Sequence, residues 1–251
     1  MDKILILFFS GVKNTKNVAE SMYINLNKIY YVDIYSVEKL SSYFDICQYD
    51  KIIIGTPTIH SEPAKPMRDY LNSLDKLEKP LPAFLFVTCG LYPENTLRVF
   101  SKLCLEKNII PVMHSAYRCS ATDGVLLAPF IEWFWHDEKK IYERINQDVK
   151  NFISINSIKP KIPRYKWYGI LNFPNKWLGK YLRFKIFLHQ EKCVKCGRCV
   201  LNCPMQAINK QNNGYPQIER RQCINCYRCI HHCPHKALSL FFKRTHKKTL
   251  Y

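Results

Sequence analysis

Over the first 153 residues, short apolar runs alternate with stretches whose apolar positions recur every three or four residues. Runs at 3–9, 30–35, 51–55, 83–88 and 109–116 have the length and the β-branched and aromatic content of buried strands. Turn-forming residues and helical patterns follow them, at 14–26, 66–74, 95–106 and 137–154. The first helix opens on Asn14 and Thr15, residues that suit a cap, and puts Val18, Met22 and Leu26 on one face. This alternation predicts βα units and a mostly parallel sheet, an open, doubly wound α/β fold. Ligands of such a sheet sit beyond the carboxyl ends of its strands, which singles out three loops, 10–15, 56–63 and 88–96. Residues 125–135 are apolar and aromatic, and read as a sixth buried element or a helix.

The pattern changes after residue 153. Residues 154–183 contain no acid and are rich in Lys, Arg, Pro, Tyr, Trp and Phe, as expected of a basic aromatic linker or docking segment. A small cysteine-rich module follows at 184–241, and 242–251 is a basic tail expected to be disordered. A chain of 251 residues suits one medium domain, 1–153, and one small one. With 47% hydrophobic residues the larger part can bury an ordinary core, while the cysteine-rich end depends on metal for its stability.

Charge divides the chain at the same place. Residues 1–153 carry 18 Lys and Arg against 18 Asp and Glu; beyond them stand 20 basic residues and two acids, Glu191 and Glu219. The net +18 therefore lies wholly in the last hundred residues or so. Such an excess suits an acidic partner. No nucleic-acid recognition module accompanies it, so nucleic acid is not expected. The expected partner is a redox protein with an acidic surface. Peripheral contact with an anionic membrane through 159–185 is the alternative, using Trp167, Tyr168, Phe173, Trp177 and Tyr181. Against it stands the reading that these aromatics wrap the first domain and fix the second against it. The apolar run at 4–9 is far short of a membrane span and no cleavage signal follows it, so a cytoplasmic protein is expected.

In a reducing compartment, twelve cysteines point to metal ligation more than to disulfides. Cys47, Cys89, Cys104 and Cys119 are scattered. The other eight repeat one spacing: Cys193, Cys196, Cys199 and Cys203 before Pro204, then Cys223, Cys226, Cys229 and Cys233 before Pro234, each C-x2-C-x2-C-x3-C-P. Three cysteines two residues apart wrap a loop around three corners of a [4Fe-4S] cube, and the fourth carries its thiolate to the other cube. Cluster one then takes Cys193, Cys196, Cys199 and Cys233; cluster two takes Cys223, Cys226, Cys229 and Cys203. Structural zinc, which wants paired C-x2-C and tetrahedral closure, suits this spacing poorly. Ala207 and Ala237 extend the repeat to C-P-x-x-A. His231, His232 and His235 beside Cys233 read as ordinary surface residues, or else as groups that tune the potential. The stretch resembles the bacterial two-cluster ferredoxins, which implies low-potential one-electron transfer.

The first loop, Ser10, Gly11, Val12, Lys13, Asn14 and Thr15, joins a strand to a helix, where backbone N–H groups and the helix dipole favour a phosphate. Neither the dinucleotide fingerprint G-x-G-x-x-G nor the P-loop is present, which counts against NAD and ATP. The loop resembles that of the flavodoxins, which reads roughly S-x-T-G-N-T and holds the phosphate of FMN. Ser10, Asn14 and Thr15 match, while Val12 replaces a hydroxyl residue and Lys13 a glycine. The resemblance implies FMN, with Pro57, Thr58 and His60 of the second loop against the isoalloxazine. The third loop supplies Thr88, Cys89, Gly90, Tyr92 and Asn95, with Tyr92 as the stacking ring and Cys89 as a buried, inert thiol.

Together the two halves resemble the flavodoxin–ferredoxin fusion proteins of anaerobes. The resemblance implies a flavodoxin-like sheet followed by a small α+β ferredoxin-type domain, carrying two [4Fe-4S] clusters and FMN. The expected function is electron relay between clusters and flavin as the carrier for a redox partner. The alternatives are an FMN-dependent reductase of a small acceptor such as a quinone, and a redox module docked on a membrane.

Overall fold

The computed structural model describes residues 2–41, 44–90, 92–120, 122, 126, 138–167 and 185–242. All five expected strands form: β1 Lys3–Phe8, β2 Tyr31–Ser36, β3 Lys51–Ile59, β5 Leu81–Cys89 and β6 Ile109–Arg118, with a short β4 at Glu62–Pro63. They pair in parallel in the order β2-β1-β3-β5-β6, with β4 antiparallel on the end of β3. The helices are α1 Asn14–Leu26, α2 Lys65–Ser73, α3 Thr96–Glu106 and α4 Glu138–Ile153.

Period-two alternation sorts each strand's residues between two cores. Leu5, Leu7, Leu85 and Val87 face α2 and α3 with Met67, Leu71 and Phe100. Ile4, Ile6, Phe84 and Phe86 face α1 and α4 with Val18, Met22, Ile145 and Phe152. A strand buried on both faces must be apolar at every position, which is why the runs read as unbroken. Gly55 leaves room for Phe86, whose ring would stand 2.0 Å from a Cβ there. Strands β3 and β5 run past their apolar stretches because Thr56 and Pro57 continue the parallel ladder opposite Val87 and Thr88, and Thr58 and Ile59 then pair with β4.

The order reverses between β1 and β3: β1 leads outward to β2 on one side and to β3 on the other. This switch point opens a crevice at the carboxyl ends of the strands.

The cysteine-rich end is built from two similar halves. Short helices α5 Arg198–Leu201 and α6 Arg228–His231 follow the cysteine loops, with hairpin β8 Ile208–Lys210 and β9 Pro216–Ile218, and β7 Phe187–Leu188 paired to β10 Leu238–Ser239. The repeat extends to the backbone. Positive φ recurs thirty residues apart at Lys195 and Asn225 (58° and 55°), Gly197 and Tyr227 (76° and 55°), and Gln206 and Lys236 (both 49°).

Residues 161–166 run along the first domain. Lys161 N–H donates to Pro111 O at 2.6 Å, Arg98 donates to Pro163 O at 2.9 Å, and the Asn95 side chain bonds the backbone N–H and C=O of Lys166 at 2.9 and 3.2 Å. The linker therefore holds on by its backbone. The expectation that its aromatics are buried fails at Tyr165 and Trp167, which are exposed. Tyr168, Phe173, Trp177 and Tyr181 lie outside the described residues, as do nearly all of 125–135 and the basic tail.

Candidate functional site

The eight cysteines gather in two cavities, each drawing on both halves of the repeat. Cys193, Cys196, Cys199 and Cys233 line one; Cys203, Cys223, Cys226 and Cys229 line the other. In each half the cysteine before proline accepts a hydrogen bond from the alanine four residues on, Ala207 N–H to Cys203 Sγ and Ala237 N–H to Cys233 Sγ, both at 3.2 Å. Both alanines are buried, so the C-P-x-x-A spacing turns a backbone donor onto sulfur, and Ala237 also lines the first cavity. Among the described residues no three His, Cys, Asp or Glu converge as donors to a single ion. Thiols ringing a cavity fit a cluster better than zinc. Burial pushes the thiol of Cys199 up to about 11 and that of Cys226 up to about 12, and raises Cys229 well above the ordinary range. As cluster ligands these sulfurs would be held as thiolates, so iron loading would release protons.

At the switch point a cleft of about 550 Å³, open to solvent, is lined by Ser10, Gly11, Val12, Asn14 and Thr15, by Pro57, Thr58 and Ile59, and by Thr88, Cys89 and Gly90. Its side chains hold the loops together. Ser10 Oγ donates to Val12 O at 2.9 Å, Asn14 Nδ2 to Ser120 O at 2.6 Å, and the hydroxyls of Thr15 and Thr88 share a hydrogen bond of 2.7 Å. The N-cap of α1 is Lys13, without a side-chain cap bond, and the first intrahelical bond runs from Asn17 N–H to Lys13 O. Asn14 therefore does not cap the helix as its position suggested: its amide crosses to Ser120. The N–H groups of the first turn have no partner within the helix and suit a phosphate. Thr58 Oγ1 is buried in the cleft wall without a hydrogen-bond partner. These features fit a phosphorylated flavin. Cys89 is buried, and burial pushes its thiol up to about 11, consistent with an inert sulfur.

Four residues expected at this cleft do not line it. Lys13 is exposed and does not line the cleft. His60, with Ser61, forms the β3–β4 hairpin turn, where both residues take positive φ (50° and 64°), so its side chain belongs to the hairpin tip. Tyr92 is 70% exposed, and Asn95 spends its amide on Lys166.

The cleft's remaining wall comes from the cysteine-rich domain. Asn225 and Cys226 line it alongside Ser120 and Thr122. A Cβ on Gly11 would stand 3.1 Å from Cys226 Cβ and 3.4 Å from its carbonyl oxygen, so this glycine admits the cluster loop to the phosphate loop. Arg228 clamps the junction. Its guanidinium forms a fork with Glu38 at 2.7 and 2.8 Å and donates to the carbonyls of Ser10 at 2.5 Å and Gly11 at 2.8 Å, above the ring of Phe9. Ile224 packs against the core of the first domain, and Leu126 packs among Tyr227, Ile230 and Leu240 of the second. His231, expected on the surface, is 2% exposed and bonds Thr122 O at 3.0 Å; His235 is exposed. Sequence reasoning missed Glu38 and Arg228 because their partners lie up to 218 positions away, and Asn225 because the cleft it lines is built mainly by loops of the first domain. The only signal was a non-glycine residue, Tyr227, at the place where the first half of the repeat has Gly197.

Family comparisons agree with both halves. A flavodoxin domain model matches residues 5–114, and a 4Fe-4S dicluster domain model matches residues 186–240. Similar solved structures include a Streptococcus pneumoniae TIGR4 flavodoxin (17% identity, 61% of this chain and 98% of that one, TM-score 0.46). Another is flavodoxin 1 of Bacillus cereus in oxidised form (15%, 62% and 99%, TM-score 0.45). A third is the Fusobacterium nucleatum flavodoxin bound to flavin mononucleotide (17%, 61% and 98%, TM-score 0.43). No curated protein matches the chain. Among the described residues no helix is long and apolar enough to cross a membrane. The flavodoxin domain implies FMN and the dicluster domain implies two [4Fe-4S] clusters. The chain is therefore an iron–sulfur flavoprotein of electron transfer, and its two domains fit a flavodoxin–ferredoxin fusion.

Proposed function

We propose that this protein relays electrons within one molecule between a solvent-facing cluster, a buried cluster and FMN, as the carrier for a redox partner protein. One observation carries the reading: Cys226, a proposed ligand of cluster two, stands in the wall of the cleft that suits the flavin, against Gly11. When bound, the clusters exchange single electrons and the flavin takes one or two.

The chain's own residues supply the arrangement. Cys193, Cys196, Cys199 and Cys233 would hold cluster one; Cys203, Cys223, Cys226 and Cys229 would hold cluster two. The first turn of α1, with the 10–15 loop, would hold the phosphate. Asn225 and Cys226 would cover the flavin from the cluster side and keep water from the gap between them. The Arg228–Glu38 fork fixes the separation of the two domains. The cytoplasm suits such a protein, since a reducing compartment keeps thiols available as cluster ligands.

Iron and flavin analysis should give about eight irons and one FMN per chain, the stoichiometry of two four-iron clusters and one flavin. Anaerobic rapid mixing with dithionite should then bleach the flavin at a rate independent of protein concentration. A flavin that stays oxidised, or is reduced only in proportion to protein concentration, rules the internal relay out. Steady-state turnover with a quinone, compared with turnover with carrier proteins, separates the carrier from a small-molecule reductase.

A further inference from the structure

We propose that the face around cluster one, centred on Arg198, Leu201 and Lys210, is the docking surface for an acidic one-electron carrier protein. This deepens the reading above and rests on it.

The two halves of the cysteine repeat have the same backbone and opposite surroundings. Around Cys226 the loop is covered by the first domain. Around Cys196 it is open: the cavity of Cys193, Cys196, Cys199 and Cys233 is edged by Val194, Arg198 and Lys210, and Cys196 itself is exposed. Val194 is 58% and Leu201 85% exposed, an outlay of apolar surface beside a redox site for which the second half shows no counterpart. Arg198 and Leu201 stand one turn apart on α5, and Arg198, Lys195 and Lys210 form a basic rim.

Apolar residues inside a charged rim make the anatomy of a transient protein interface, where contact is dry at the centre and steering comes from the edge. Charge selects the occupant. Within residues 186–240 eight bases stand against two acids, an excess of six, and two clusters at about −2 each cancel roughly four of those charges, so the exposed Lys195, Arg198 and Lys210 give this face its sign. A partner with a ring of carboxylates around its own redox centre complements this face. A small reductant needs neither the apolar centre nor the rim. In the encounter the reduced carrier gives up one electron and is oxidised by one, cluster one is reduced by one, and no bond or proton moves.

The test uses the full-length holoprotein, with an acidic two-cluster ferredoxin reduced by dithionite as probe and a basic c-type cytochrome as control. Stopped-flow association with the ferredoxin should slow steeply as salt rises, and Arg198→Glu/Lys210→Glu should slow it roughly 10- to 100-fold at low salt. Leu201→Ser should weaken binding several-fold with little change in salt dependence. Carbodiimide cross-linking, read by mass spectrometry, should join Lys195 or Lys210 to ferredoxin carboxylates, a readout independent of electron transfer. Iron content and visible absorption verify that each variant keeps both clusters; should the double variant lose one, Leu201→Ser and the wild-type salt dependence decide. Rates indifferent to salt and to these substitutions overturn the proposal. Tighter binding of the basic cytochrome, or displacement of the ferredoxin by phosphatidylglycerol vesicles, overturns it too. Flavin reduction by dithionite alone reports separately: if it fails in the wild type the internal relay is wrong, and if it survives while the docking variants behave as wild type only the surface is wrong.

Discussion

Gly197 and Tyr227 occupy equivalent places in two copies of one loop, and so do Arg198 and Arg228, and Leu201 and His231. In the first copy an added Cβ on Gly197 would meet nothing within 4 Å, and Leu201 lies in solvent. In the second, Tyr227 keeps the left-handed conformation at 6% exposure among Ile230, Leu238 and Leu240, while Arg228 grips the first domain. A bulky residue at positive φ carries strain of order 1–2 kcal/mol. Packing of the Tyr227 ring offsets it, because a buried aromatic side chain is worth about 2–3 kcal/mol. Spacing that builds a cluster site thus leaves open which way the site faces. The side chains between the cysteines decide that.

The largest expected effect tests the crossing of the two halves. Cys203→Ser should remove the cluster framed mainly by the second half, and Cys233→Ser the one framed mainly by the first, each lowering iron from about eight to about four per chain. Iron analysis with electron paramagnetic resonance distinguishes them, and loss of the cluster within the same half would break the symmetry argument. Chelating all the iron should unfold the 186–240 module before the sheet, read as loss of its protease resistance while far-ultraviolet dichroism of the α/β domain persists.

Next come the paired substitutions. Ile230→Ala removes a fully packed side chain and should cost about 2–4 kcal/mol in urea unfolding of the holoprotein. Leu201→Ala in the exposed half should cost less than about 0.5 kcal/mol. Arg228→Ala should cost roughly 2–3 kcal/mol, less than a fully buried pair because Glu38 keeps some solvent contact, and should slow flavin reduction; Arg198→Ala should leave both unchanged within about 0.5 kcal/mol. Equal effects of the two arginines would dissolve the contrast.

The smallest pair concerns glycines. Gly11→Ala presses on Cys226 and should cost about 1–3 kcal/mol by overpacking, with weakened flavin binding. Gly197→Ala has open space but a φ of +76° and should cost about 1 kcal/mol with flavin binding intact. Fluorescence titration with FMN separates the two.

Much of the fold was legible because its signals are local. Strands β1, β3 and β5 are apolar on both faces, so their runs stand out. The cysteine spacing carries its own geometry, and the structure brings together the two foursomes that it implies. Ten of the fourteen residues expected at the flavin cleft line it, since strand ends and a helix start can be located from pattern alone. His60, Tyr92, Asn95 and Lys13 were misplaced because loop direction depends on what the loop meets: a hairpin turn for His60, the backbone of Lys166 for Asn95.

By itself the amino-acid sequence determined the elements, the two cluster motifs, the charge asymmetry and the location of the phosphate loop. All of these follow from backbone periodicity and from covalent spacing. Only the tertiary structure decided that Cys226 of the second foursome stands in the wall of the switch-point cleft while Cys196 of the first is exposed to solvent. That choice rests on contacts such as Arg228 with Glu38 and Cys226 with Gly11, which join positions roughly 200 residues apart and leave no periodic trace in the chain.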